Sequence, residues 1–221
     1  MKGFLNRLAN NEKEGSLADR LRKKRFDLFR SLISDLPRPI RIVDVGGTVN
    51  YWQKMGLLLS EEVEITLVNL HQSKVAFPNI KSHKGDARNL SEFEDNSFDI
   101  AFSNSVIEHV GNYQDQTLMV KEMQRLAPRL YLQTPNYYFP LEPHFLFPFF
   151  QFLPLRIKVW LIMNFQLGWY PRLKKREDAV SIAKSITLLK FKEIRDLFPN
   201  AKIFRERFVG LTKSFVVIEG F

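Results

Sequence analysis

The sequence contains no cysteine and only four histidines among its 221 residues. The missing thiol excludes a disulfide framework, a zinc–thiolate site, an iron–sulfur cluster and a cysteine nucleophile. The four histidines are scattered along the chain, so we expect no metal site. Hydrophobic residues make up 45% of the sequence and charged residues 26%. This composition excludes a disordered chain and predicts one large folded domain.

Uninterrupted apolar runs are also lacking. The most hydrophobic stretch, residues 145–165, contains Arg156 and Lys158 together with two prolines. A membrane-spanning helix needs about 18 or more nearly uncharged apolar residues. Arg7 and Glu12 interrupt the apolar region that a signal peptide requires. We therefore expect a cytoplasmic protein, with peripheral attachment at the inner membrane face as a further expectation.

Positive charge is concentrated towards the two ends of the sequence. The formal charge is +5 over residues 1–30, −4 over residues 31–155 and +8 over residues 156–221, which gives +9 in total. Such ends could face anionic lipid, a phosphorylated substrate or nucleic acid. A basic surface that only keeps the protein soluble explains the same pattern, and both interpretations stay open.

Hydrophobic periodicity predicts alternating strands and helices after an amphipathic helix over residues 16–36. The predicted strands are 40–45, 64–68, 80–84, 97–102, 130–134, 201–208 and 213–219. Helical segments between the first five strands predict a doubly wound α/β fold with a parallel sheet. The short 209–212 connection makes the last strand antiparallel. The single domain then divides into an N-terminal helix region (1–36), a core (37–136), a lid insertion (137–180) and a C-terminal helix with a strand pair (181–221).

Polar segments follow the first four predicted strands, and all four should meet at the carboxyl edge of the sheet. These segments are Asp44-Val-Gly-Gly-Thr48, Asn69, Gly85-Asp86-Ala87 and Asn104-Ser-Val-Ile-Glu-His109. The first has glycines that let a nucleotide-like ligand approach the backbone. It lacks the full G-x-G-x-x-G spacing, because Thr48 and Asn50 replace expected glycines, and a tight turn without a ligand is the alternative. Asn69 can bond ribose hydroxyls or simply end its strand.

With these segments, the sequence resembles the class I S-adenosylmethionine-dependent methyltransferases. The similarity is greatest to the small-molecule (type 11-like) group, which carries a G-D-A segment and an N-S-V-(I/L)-E-H-V segment. It covers about residues 40–135. The resemblance implies a seven-stranded Rossmann-like sheet with an antiparallel last strand, and S-adenosylmethionine as the cofactor.

The resemblance also implies roles for individual residues. It places Asp44, Gly46, Gly47 and Thr48 beside the methionyl part of the cofactor, Asn69 and Leu70 at the ribose, Asp86 and Ala87 at the adenine, and Asn104 and Ser105 near the sulfonium. Asn69 departs from the usual acidic residue at the ribose position.

Methyl transfer from a sulfonium is an in-line displacement, so the protein mainly aligns the reactants and excludes water. If the acceptor is a hydroxyl, His109 is our candidate general base. The alternative is that Glu108 and His109 cap or orient the following helix. Further candidates for contacting the acceptor follow the fifth strand: Tyr137, Tyr138, Glu142 and His144.

The segment after the fifth strand is rich in proline and aromatic residues. We expect residues 137–180 to form a helical, aromatic-rich lid over the cofactor edge. Its apolar face would receive a lipid-like acceptor or enter a membrane surface. Arg156, Lys158, Arg172 and residues 174–176 would then meet lipid phosphates. The alternative is that the aromatic residues only pack the lid onto the domain.

These features favour methyl transfer from S-adenosylmethionine to a small-molecule acceptor that is lipid-like, isoprenoid-linked or a saccharide. One alternative is a non-catalytic relative that acts as a binding or scaffold protein. A nucleic-acid methyltransferase is a lesser alternative, because the Asn/Asp-Pro-Pro-aromatic segment of DNA amino-methylating enzymes is missing after the fourth strand. A nicotinamide-dependent oxidoreductase is the least supported class, because the glycine spacing differs from that of dinucleotide-binding loops. The sequence predicts no oligomeric state.

Overall fold

The computed structural model describes residues 16–57 and 60–221. The helices are α1 (Leu17–Ile33), α2 (Val49–Lys54), α3 (Tyr113–Leu126), α4 (Leu155–Asn164), α5 (Arg176–Lys184) and α6 (Phe191–Leu197). The strands are β1 (Ile40–Val45), β2 (Val63–Asn69), β3 (Ile80–Lys84), β4 (Ile100–Asn104), β5 (Arg129–Pro135), β6 (Leu141–Glu142), β7 (Phe147–Pro148), β8 (Lys202–Phe208) and β9 (Leu211–Glu219). Short 3₁₀ turns cover Ile107–His109 and Phe150–Phe152.

The main sheet has seven strands in the order β3-β2-β1-β4-β5-β9-β8. β1 pairs in parallel with β2 on one side and with β4 on the other, which brings Ile65 and Ile100 to either side of Ile42. β9 runs antiparallel between β5 and β8. The predicted fold class, a doubly wound Rossmann-like sheet with an antiparallel last strand, is confirmed.

Helices cover both faces of this sheet and create two apolar cores. On one face, α3 and α6 pack against the strands through residues such as Met119, Met123 and Ile194. On the other face, α1 and α2 cover the sheet. There the fully buried ring of Phe29 lies edge-on to Phe102 and Tyr131, with centroid distances of 5.0 and 5.2 Å. The amphipathic N-terminal helix is thus part of the domain core.

Several element boundaries differ from the sequence prediction, and the differences are clearest for one helix and one strand. The helix expected over 51–59 begins at Val49, because the Thr48 side chain caps it by accepting a hydrogen bond from the Tyr51 amide. It ends at Lys54, before Gly56 with its φ of +74°. The strand expected from residue 97 begins only at Ile100, where pairing with β1 starts.

The segment after β5 forms the expected insertion. A two-stranded hairpin of β6 and β7 is followed by α4 and α5, which pack together around a small core of their own. Phe145 and Phe150 stack in this core with a centroid distance of 4.0 Å. Within residues 16–57 and 60–221, no helix has both the length and the apolarity needed to cross a membrane.

Candidate cofactor and acceptor site

The loops after β1, β2, β3 and β4 converge at the carboxyl edge of the sheet, as the strand pattern predicted. There they enclose a cavity of about 780 Å³, which we call the cofactor cavity. This volume lies within the range of small-molecule sites. Eight of the ten residues that the resemblance assigns to the cofactor line this cavity: Gly46, Gly47, Thr48, Asn69, Leu70, Asp86, Ala87 and Ser105. The other two, Asp44 and Asn104, line an adjoining cavity.

The turn after β1 admits only glycine at two positions. Gly46 has a φ of +80°, in the left-handed region, and a Cβ there would collide with the Val106 side chain. A Cβ on Gly47 would collide with the Asp44 carboxylate. The bare backbone of this turn therefore forms part of the cavity wall, and a ligand can approach it closely.

Asp44 is a fully buried carboxylate at the end of β1. The Trp52 indole Nε1 donates a hydrogen bond of 2.7 Å to Oδ2, whereas Oδ1 has no partner among the described residues. Burial raises the pKa of Asp44 to about 7, although the Trp52 hydrogen bond opposes this shift. An acceptor atom without a partner is costly unless a ligand donor satisfies it. The ammonium of a methionyl group is such a donor.

Asn69 ends β2 and holds the glycine turn in place. Its Nδ2 donates a 2.8 Å hydrogen bond to the Gly47 carbonyl. A carboxylate could not donate this bond, which gives a physical reason for an amide where the resembling family usually has an acid. The Oδ1 of Asn69 can still accept a hydrogen bond from a ribose hydroxyl.

Asp86 follows β3 and is held rigidly by Arg88. The Arg88 Nη2 lies 2.6 Å from Asp86 Oδ2, and its amide donates to Oδ1 at 3.0 Å. The side-chain hydrogen bonds from Arg88 hold the pKa of Asp86 below its ordinary value. Arg88 also reaches Asp115 at the start of α3. Asp86 is thus a fixed, ionised acceptor on the wall of the cofactor cavity.

Ser105 lies between the two cavities and lines both. It adopts a φ of +56°, and its hydroxyl donates a 2.7 Å hydrogen bond to Gln133 Oε1 on β5. Gln133 and Asn136 also line the adjoining cavity. Neither residue was predicted from the sequence, although their positions at and just after the end of a parallel strand could have indicated them.

The adjoining cavity, which we call the acceptor cavity, has a volume of about 740 Å³. It shares Gly46, Gly47, Thr48, Ser105 and Val106 with the cofactor cavity. Apolar lid residues form one wall: Phe139, Pro140, Leu141, Pro143, Leu146 and Trp169. Basic residues from α1, α2 and β9 also line it: Arg22, Arg25, Lys54 and Lys213. The cavity thus combines a large apolar surface with cationic groups.

The predicted acceptor-contacting residues lie outside the lining of this cavity. Tyr137 and Glu142 line a smaller cavity of about 160 Å³ beneath the lid. Tyr138 is exposed, and His144 is held by Glu142 through a 2.7 Å contact at Nδ1. Contact between these four residues and the acceptor stays a prediction, and the lid residues that line the cavity are better placed for it.

His109 lines the cofactor cavity rather than the acceptor cavity. Desolvation by neighbouring groups and the nearby His144 lower the pKa of His109 to about 4. Its ring meets His144 edge-on, with centroids 4.7 Å apart. The neighbouring Glu108 is fully buried, and burial raises its pKa to about 7. General-base catalysis by His109 stays a prediction. Although the four histidines are scattered along the sequence, His109 and His144 are neighbours in the fold.

Similarity to known proteins agrees with this geometry. Residues 45–129 match the family described as "Methyltransferase domain". No curated protein matches the sequence. A putative methyltransferase from an antibiotic biosynthesis pathway of Anabaena variabilis has a similar structure, with 18% identity and a TM-score of 0.51. The alignment covers 83% of this chain and 64% of that one.

Two other methyltransferase structures are also similar in fold. The CurJ carbon methyltransferase has 12% identity and a TM-score of 0.58, over 96% of this chain and 56% of that one. The CMeT domain of the citrinin polyketide synthase has 15% identity and a TM-score of 0.57, over 90% of this chain and 51% of that one. The chain therefore spans about half to two thirds of the length of these structures.

The chain has the fold of these methyltransferase domains, and residues 45–129 match the methyltransferase family. The residues at the carboxyl edge of the sheet fit S-adenosylmethionine, the cofactor that the sequence resemblance implies. Asp44 offers an unpartnered acceptor, Asn69 an amide oxygen and Asp86 a fixed carboxylate, all along one continuous edge. When bound, S-adenosylmethionine supplies an electrophilic methyl group.

Proposed function

We propose that this protein transfers a methyl group from S-adenosylmethionine to an amphipathic, lipid-like acceptor. The observation that carries the proposal is the pair of cavities that meet at the glycine turn and at Ser105 and Val106. One cavity has the polar residues suited to a nucleoside, and Asp44, which suits a methionyl ammonium, lines the other cavity beside the shared turn. The other is large, apolar and open to cationic side chains. A methyl donor and an acceptor placed in the two cavities would meet at their common wall.

The protein's part in this reaction is alignment and exclusion of water. The turn at Gly46 and Gly47 and the hydrogen bond from Asn69 fix the cofactor side. The lid residues cover the acceptor side and keep water from the transferring group. Acceptors with a long apolar part, including isoprenoid-linked compounds, suit the lid wall. A phosphate or other anionic group on the acceptor suits Arg22, Lys54 and Lys213.

The first experiment is isothermal titration of the purified protein with S-adenosylmethionine and S-adenosylhomocysteine. The test variant is Asp86→Ala, and the matched control is Asp95→Ala. Each removes an exposed carboxylate that pairs with an arginine, but only Asp86 lines the cofactor cavity. Micromolar binding that Asp86→Ala weakens at least about tenfold and Asp95→Ala leaves unchanged supports the proposal. No binding at millimolar ligand would instead favour a non-catalytic binding protein.

Acceptor class is then tested by transfer of a labelled methyl group to separate pools of acceptors. The pools are phospholipids, polyprenyl phosphates, free saccharides and soluble metabolites. We expect label in a lipid or isoprenoid pool. Label confined to soluble metabolites would refute the lipid-like acceptor while leaving methyl transfer intact.

We further propose that the lid docks on an anionic membrane surface to collect such an acceptor. Eight of the fourteen exposed large hydrophobic side chains of the described residues lie between residues 138 and 169. They are Tyr138, Phe149, Phe152, Leu155, Ile157, Trp160, Phe165 and Trp169. Concentration of exposed apolar residues in one segment is typical of an interaction surface.

Charge around this segment favours anionic lipid over a protein partner. Arg156 and Arg172 are exposed beside the apolar side chains, and three consecutive basic residues at 174–176 are exposed next to them. Such groups attract an anionic leaflet over about one Debye length. Lys158 was expected to belong to this set. Its Nζ instead donates a hydrogen bond to the Gln151 carbonyl and lies over the Phe150 ring.

Flotation with anionic and neutral vesicles tests the docking. Ile157→Ser and Leu118→Ser form a matched pair, since the two side chains are 45% and 46% exposed but only Ile157 belongs to the lid. We expect the wild type and Leu118→Ser to float with anionic vesicles at low salt, and Ile157→Ser to float less. Protein that stays in solution with anionic vesicles at low and high salt would refute the docking.

A further inference from the structure

A cluster of titratable side chains beside the cofactor cavity joins the lid to the core. Glu108 and His109 lie in the 3₁₀ turn after β4, and His144 lies in the loop of the β6–β7 hairpin. One ligand-capable atom of each of these three residues lies within 4.8 Å of those of the other two. Two imidazoles and one carboxylate form a donor set that first-row transition metals prefer.

Glu108 offers a buried carboxylate oxygen to this cluster. Its Oε2 accepts a 3.2 Å hydrogen bond from the Thr134 hydroxyl, whereas Oε1 has no partner among the described residues. The side chain is fully buried. Since an unsatisfied buried acceptor is costly, this oxygen needs a cation or a proton donor. Its neighbours in the cluster are two imidazoles, which can bind the same metal ion as the carboxylate.

His144 is oriented as a metal-binding histidine usually is. Its Nδ1 contacts Glu142 Oε1 at 2.7 Å, and Glu142 itself is buried. Backbone amides of His144 and Phe145 donate to the other Glu142 oxygen, at 2.8 and 2.7 Å. A histidine that donates from Nδ1 to a fixed carboxylate keeps its Nε2 lone pair for a metal. Of the other described histidines, His83 also has a carboxylate partner, Glu92, but no third ligand nearby.

We propose that Glu108, His109 and His144 bind a divalent first-row transition metal, with Zn²⁺ as the preferred ion, and that this ion fastens the lid hairpin to the core. Two histidines and one glutamate match the protein ligands of open zinc sites, whose fourth position takes water or a substrate atom. In a tetrahedral zinc site, ligand atoms that lie about 2.0–2.1 Å from the ion are about 3.3 Å from one another. Binding therefore contracts the cluster and draws the hairpin towards the turn after β4.

The test is zinc binding by the full chain, measured independently of methyl transfer. The protein is freed of any affinity tag, stripped with a chelator and titrated calorimetrically with ZnCl₂. Bound zinc is then counted by mass spectrometry after dialysis. We expect one zinc ion per chain and a rise in the melting temperature, because the ion binds the folded state.

Variants identify the ligands. Glu108→Gln and His144→Ala should each weaken zinc binding by at least about tenfold, while His83→Ala, which removes a histidine from another carboxylate pair, should leave it unchanged. Circular dichroism of the metal-free variants checks that they fold. Absence of zinc and cobalt binding in the wild type, or equal affinity in the folded Glu108→Gln variant and the wild type, would overturn the proposal. Because the readout is metal content, failure of the proposed methyl transfer would not alter this result.

Discussion

Substitution of Asp44 by asparagine should make the protein more stable in a pH-dependent way. The buried carboxylate has a pKa of about 7 in the folded protein, against an ordinary value of 3.8. Between these two values the folded state holds a proton that the unfolded state has released. Stability therefore falls with rising pH across this window, by about 1.4 kcal/mol for each unit of pKa difference.

The shift of about three units corresponds to about 4 kcal/mol lost between pH 4 and pH 7. The asparagine side chain carries no charge, and its amide oxygen can still accept the hydrogen bond from Trp52. The stability of Asp44→Asn relative to the wild type should therefore be smallest near pH 4, increase up to about pH 7 and stay constant above it. Effects of other titrating groups cancel in this difference.

Urea unfolding at pH 4, 5, 6, 7 and 8 measures the difference in the free energy of unfolding between the two proteins. Asp27→Asn, which makes the same chemical change on the exposed face of α1, controls for the substitution itself. A difference that is constant from pH 4 to pH 8 would show that Asp44 is ionised in the folded state and would refute the reasoning. Repetition with S-adenosylmethionine should reduce the difference above pH 7, because a bound ammonium stabilises the ionised carboxylate.

Three other substitutions test the hydrogen bond to the glycine turn, the turn itself and the packing of α1. Asn69→Asp should weaken S-adenosylmethionine binding at least about fivefold by titration calorimetry, because the Gly47 carbonyl loses its hydrogen-bond donor and faces a negative charge. Equal or tighter binding would show that the hydrogen bond from Asn69 to Gly47 does not hold the turn in its binding conformation. Gly47→Ala should lower the melting temperature, since its Cβ meets the Asp44 carboxylate; an unchanged melting temperature would show that the turn can relax. Phe29→Ala should cost about 3–5 kcal/mol in urea unfolding, and a loss below about 1 kcal/mol would show that α1 is loosely packed.

The sequence predicted most of the fold because two periodicities dominate it. Buried strands such as Ile40–Val45 appear as apolar runs that end in glycine or a polar residue, and α3 appears as an apolar stripe at helical spacing. The antiparallel last strand followed from a connection too short for a crossover. Boundaries were less accurate, because a cap such as Thr48 depends on the side-chain conformation rather than on periodicity.

The cofactor side of the site was predictable for a related reason. Parallel strands bring their carboxyl ends to one edge, so residues such as Asn69 and Asp86 could be placed together from their positions alone. The acceptor side could not be placed in this way. Which lid residues face the cavity depends on how the β6–β7 hairpin folds back, and Gln133 and Arg25 reach it from strands and helices far apart in sequence.

The hairpin links the two proposals made for this protein. Leu141, Pro143 and Leu146 line the acceptor cavity, whereas Glu142 and His144 turn to the other side and meet the Glu108 turn. All five residues belong to the same short hairpin, so one piece of backbone positions both surfaces. An ion that draws His144 towards Glu108 must also move the apolar wall of the acceptor cavity. The two binding events would then be coupled. If the bound metal strengthens binding of the acceptor, the bound acceptor must strengthen binding of the metal by the same factor.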